Sequence, residues 1–68
     1  MAKWKKVFEV GSPVRAEIVK GVLEQNGILA LVIDKKESVY QIHGYYEVLV
    51  PEDLVLRAVN IIKNEITF

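Results

Sequence analysis

The residue types able to do chemistry gather between Asp34 and Tyr46. That stretch holds the single histidine, His43, with Asp34 and Glu37 ahead of it, Ser38, and the tyrosines Tyr40, Tyr45 and Tyr46. An imidazole and two carboxylates are the donor types of a metal centre. Nothing in their spacing brings them together, and His43 beside Gly44 reads as a solvated loop residue. Ser38 has no recognisable base and orienting partner, so a nucleophilic site has no support. Gly11, Gly21, Gly27 and Gly44 are isolated, and no phosphate-cradling motif is formed. No catalytic residue, metal or cofactor is expected, and the chain does not read as an enzyme. The stretch has instead the mixture of a contact surface. Asp34, Lys35, Lys36 and Glu37 supply charge, and Tyr40, His43 and Tyr45 supply amphipathic rings. These seven are the candidate binding residues, for a protein partner or a small metabolite. A plain flexible hairpin is the rival reading of the same residues.

The elements that must hold this stretch are read from hydrophobic pattern and punctuation. Residues 3–10 form a first strand, with Trp4, Val7, Phe8 and Val10 favouring β structure and Gly11-Ser12-Pro13 ending it. Simple alternation places Trp4, Lys6, Phe8 and Val10 on one face and Lys5, Val7 and Glu9 on the other. Residues 12–27 form a helix with both ends marked. Ser12 is the N-cap, Pro13 takes the first helical position, and Gly27 is free to adopt the left-handed C-terminal conformation. Ala16, Ile18, Val19, Val22 and Leu23 make its apolar stripe. Gly21, costly inside a helix, is read as a point of close packing on the sheet.

Residues 28–33 are a second strand, and residues 45–50 a third, bounded by Pro51. Pro51-Glu52-Asp53 opens a second helix, whose stripe is Leu54, Ala58, Ile61 and Ile62, flanked by Val55 and Val59. Residues 66–68 form either a last edge strand or a folded-back tail.

The order is β-α-β-β-α, with a possible final β. It predicts one α+β domain over residues 1–68, ferredoxin-like, with two helices on one face of an antiparallel sheet. Val7 and Phe8, Leu31 and Val32, and Val48 and Leu49 put apolar side chains on both faces of the strands. An antiparallel sheet with one wet face alternates more cleanly. These six residues therefore predict a second covered face. The chain has no spare element to cover it, so a homo-oligomer, dimer or trimer, is expected.

Composition narrows the class further. A chain of 68 residues buries only about 60% of its unfolded surface. Without cysteine it has neither disulfide nor thiolate metal site to reinforce it. Nine basic residues balance nine acidic ones, which removes the long-range attraction of a nucleic-acid binder. The longest apolar run, residues 28–33, is far too short to span a membrane. No signal peptide is recognisable, and a cytoplasmic protein is expected.

The whole chain resembles a family of small bacterial domains described as putative prokaryotic signal-transducing proteins. The resemblance is carried by WKKVFEV, by SPVRAEIVKGVLEQNGI with its Gly-x-Leu-Glu-x-x-Gly-Ile cadence, and by YEVLVPEDLVLRAVNII. It implies a reduced version of the nitrogen-regulatory PII fold, in which trimers bind nucleotides or small metabolites and reach targets through a long loop between strands two and three. Residues 34–44 occupy the place of that loop and are much shorter. No residue matches the PII nucleotide-binding motifs. Two functional readings stand: a regulatory, signal-transduction-type binding module acting through this loop and an oligomer surface, or a structural self-association domain with no ligand.

Overall fold

The computed structural model describes residues 3–35 and 45–66. The chain runs β1 (Trp4–Val10), α1 (Pro13–Gln25), β2 (Leu31–Asp34), β3 (Tyr46–Pro51), a 3-10 turn (Glu52–Leu54) and α2 (Val55–Glu65). The three strands form one antiparallel sheet in the order β1-β3-β2. Both helices pack on the face that carries Val48 and Val50, giving the α+β, ferredoxin-like β-α-β-β-α arrangement.

The ends of α1 are set by local chemistry. The Ser12 hydroxyl accepts a hydrogen bond from the Arg15 N–H at 3.3 Å, and Pro13 occupies the first turn. At the other end Gly27 takes φ 80°. Its N–H donates to the Glu24 carbonyl at 3.0 Å, and the Ile28 N–H donates to the Leu23 carbonyl at 3.0 Å. This pair of bonds is a Schellman motif, and its usual apolar contact joins the residues that bracket it, Leu23 and Ile28. Both are buried in the core. The cap therefore delivers Ile28 into the interior, and β2 pairs only from Leu31, later than residue 28.

The core consists of Ala16, Val19 and Leu23 from α1, Ile28 and Ala30 before β2, Val48 and Val50 from β3, and Ala58 from α2. Each fully buried Leu, Ile or Val contributes roughly 1.5–3 kcal/mol through loss of apolar surface from water. Ile18 departs from the expected stripe and is exposed. It lies two residues beyond Ala16, about 200° round the helix axis.

Gly21 also departs from expectation. A Cβ placed there would meet no described atom within 4 Å, so the glycine does not mark close packing on the sheet. It follows Val14 and Ile18 by seven and three residues, on the same outer face. The second helix begins one turn later than Pro51: residues 52–54 form the 3-10 turn first, and the Glu52 N–H donates to the Lys3 carbonyl at 2.7 Å. Ile66 is extended, with φ −116° and ψ 121°, and packs against the core. The expected final strand continues into residues 67–68, which lie outside the described residues.

The sheet faces differ from simple alternation because β1 carries a bulge. Lys6 pairs with Leu49 and Phe8 with Val48, so Val7 is the extra residue. Val7 and Phe8 both pack against the core, as does Val32 opposite Val48. Val7, Phe8, Val32 and Val48 therefore belong to the helix-covered side and do not line a second face, contrary to the expectation for an oligomer surface. Of those six residues, Leu31 and Leu49 face away from the helices, opposite one another in register.

Candidate binding surface on the open sheet face

Register and alternation give the face turned away from the helices row by row. Trp4 stands beside Pro51; Lys6, Leu49 and Leu31 form the next row; Glu9, Glu47 and Ile33 the third. The Lys35 N–H donates to the Tyr45 carbonyl at 2.9 Å, which adds a fourth row at the loop end. Leu29 precedes Leu31 on the same side by alternation. Leu29, Leu31, Ile33 and Trp4 are 60%, 41%, 38% and 37% exposed, respectively. Half the large exposed apolar residues among those described thus share one sheet face. The helical ones are Val14, Ile18, Leu56 and Val59.

The face divides across the strands. The β2 side is an apolar column of Leu29, Leu31 and Ile33 beside Leu49. The β1 side is ionic. Lys6 Nζ lies 2.9 Å from Glu9 Oε1 and 3.7 Å from Glu47 Oε2, and Lys35 Nζ lies 4.0 Å from Glu47 Oε1. The hydrogen bond and charge of Glu9 raise the Lys6 ammonium above the ordinary lysine pKa, and Glu47 adds to the rise. The two lysines and two glutamates leave this face with no net formal charge.

Of the seven loop candidates, three are described. Lys35 and Tyr45 are half-buried and close the ladder between β2 and β3. Asp34 is the exposed last residue of β2, paired with Tyr46 in register. Lys36, Glu37, Tyr40 and His43 lie outside the described residues. Among the described residues no group of His, Cys, Asp or Glu is placed to hold a metal ion. Sequence reasoning misses Trp4, Leu29, Ile33 and the Lys6–Glu9–Glu47–Lys35 cluster as parts of the surface. One signal is present: residues 28–33 alternate Ile28, Ala30, Val32 inward with Leu29, Leu31, Ile33 outward, a strand apolar on both faces.

Fold and surface together define a small ferredoxin-like domain with one sheet face left open by its own helices. The chain belongs to the family described as Putative prokaryotic signal transducing protein, whose family model matches residues 4–66. No curated protein and no solved structure gives a significant match to the chain.

Proposed function

We propose that this protein is a non-catalytic regulatory module that works by association, in the manner of a reduced PII-like protein of the cytoplasm. Its open sheet face takes a second copy of the chain, and the β2–β3 connection at the end of that face takes a protein partner or a small metabolite. The observation that carries this reading is the open face itself. Trp4, Leu31 and Ile33 remain accessible there beside Leu49, and neither helix covers them. An apolar face of this kind is a site of association. The family description supports a signalling role in general terms. No helix among the described residues is long and apolar enough to cross a membrane.

Sedimentation equilibrium at micromolar concentration tests the association. An oligomer is expected, and a strictly monomeric chain overturns it. Replacing residues 36–43 by a short Gly-containing turn tests the loop. Retained fold and assembly, with partners no longer recovered from native cell extract, supports regulation through the loop. Full recovery removes the loop from the reading and leaves structural self-association through the sheet.

A further inference from the structure

We infer that a second copy of this chain pairs with the outer edge of β2, which no other described strand adjoins, antiparallel and centred on Val32, so that two three-stranded sheets continue into one. This rests on the self-association proposed above and places its seam at the β2 border of the open face.

The two edges of the sheet are unlike. The β1 edge carries Lys3, Lys5 and Lys6 and the bulge at Val7. Edge lysines and bulges are devices that keep a strand from pairing with another chain. The β2 edge has no bulge and no proline, and among the described residues its one flanking lysine, Lys35, stands at the loop end. Leu31, Val32 and Ile33 ahead of it pair in unbroken register with β3.

The direction of the backbone groups follows from the ladder. Lys35 bonds to Tyr45, so Lys35, Ile33 and Leu31 turn their N–H and C=O groups toward β3. Successive residues of an antiparallel strand alternate in this respect. Val32, and Ala30 ahead of it, therefore turn theirs outward from the sheet. A two-fold axis through Val32 opposes Val32 to Val32 of the second copy, and each N–H meets the other's carbonyl.

Side chains and charges fit this register. Leu31 falls opposite Ile33 of the second copy, joining two exposed apolar columns across the seam. Asp34 falls opposite Ala30 and Lys35 opposite Leu29 of the second copy, so no like charges stand directly opposed. The open face carries Lys6 and Lys35 against Glu9 and Glu47, and presents no net charge to repel its copy. The seam is continuous with the open face already described.

The test uses the full chain. In a mixed isotope-labelled sample, an intermolecular Hα–Hα contact between Leu31 and Ile33 is expected, because non-hydrogen-bonded antiparallel pairs bring these atoms closest. Leu31→Lys should weaken dimerisation roughly tenfold by sedimentation, since the axis repeats the broken pair. Leu31→Lys combined with Ile33→Glu in the same chain should restore most of that affinity. Both positions are exposed, and circular dichroism verifies that each variant is folded. A dimer that lacks the Hα contact, or that the double variant fails to restore, overturns edge pairing and leaves association through the open face standing. A chain strictly monomeric at micromolar concentration overturns both. Edge pairing in a loop-replaced chain that still recovers all its partners overturns the loop reading alone.

Discussion

Glu9 and Glu47 stand directly opposite one another on β1 and β3, and the Lys6 ammonium reaches both, at 2.9 Å and 3.7 Å. Like charges opposed across a ladder destabilise it. Here a lysine three residues before Glu9 lies on the same face, which regular alternation forbids. The bulge at Val7 makes it possible by inserting one residue between Lys6 and Phe8. The same bulge turns both Val7 and Phe8 toward the core. One backbone irregularity thus places an apolar pair under the helices and a cation between two anions on the open face.

Replacing Lys6 by Met should therefore lower thermal stability at neutral pH by leaving Glu9 and Glu47 opposed without a cation. Salt screens interactions between exposed charges. The deficit relative to the natural chain should shrink as ionic strength rises, and thermal melts at low and high salt measure it. No deficit in the methionine variant would show that Lys6 acts only through its aliphatic stem, which methionine keeps.

Lys6 should itself titrate above the ordinary lysine range, because Glu9 and then Glu47 favour its charged form. A folded-state pKa raised above the unfolded value gives stability that is present below the ordinary lysine pKa. That stability disappears as pH rises through the raised one. Glu9→Gln removes the hydrogen-bonded anion and should bring the Lys6 titration down. NMR observation of the Lys6 side chain across the alkaline range checks both statements.

The parts of the fold legible in the sequence are those decided locally. Ser12, Pro13 and Gly27 mark the ends of α1 through bonds within a few residues of themselves, and the order of elements follows from such punctuation. The Val7 bulge depends on which strand lies beside β1, a long-range fact that alternation along one strand does not contain. That is why the strand pattern alone assigns Val7, Phe8, Val32 and Val48 to an oligomer surface although the helices cover them. On the candidate surface, Leu31, Leu49, Lys35 and Tyr45 are legible from type and position, whereas Asp34, in register with Tyr46, falls on the other side of the sheet. Trp4, Ile33 and the lysine–glutamate cluster emerge only when three strands are laid in register.

Gly21→Ala should stabilise the protein by up to about 1 kcal/mol, since alanine is the better helix former. The sequence alone suggests overpacking at this position, but no described atom lies within 4 Å of a Cβ there. Urea denaturation measures the change. A drop in stability on Gly21→Ala would show that something approaches the α1 backbone closely there in solution, and would direct attention to the outer face with Val14 and Ile18.

Gly27→Ala should have the opposite sign. At φ 80° Gly27 is in the left-handed region, where a Cβ costs roughly 1–2 kcal/mol. No described atom crowds the position, so the cost comes from backbone conformation and not from packing. The residue is exposed, yet its conformation aligns the Ile28 N–H with the Leu23 carbonyl and sets both side chains in the core. For a domain this small, each kcal/mol of destabilisation lowers the melting temperature by roughly 4–8 °C. Asparagine tolerates the left-handed region better than alanine. Gly27→Asn should therefore fall between the natural chain and Gly27→Ala in thermal melts. Leu23→Ala, at about 2–5 kcal/mol, sets the scale for truncating a core side chain that the turn holds in place. Equal destabilisation by Gly27→Asn and Gly27→Ala, approaching that scale, would mean that the chain abandons the Schellman turn altogether.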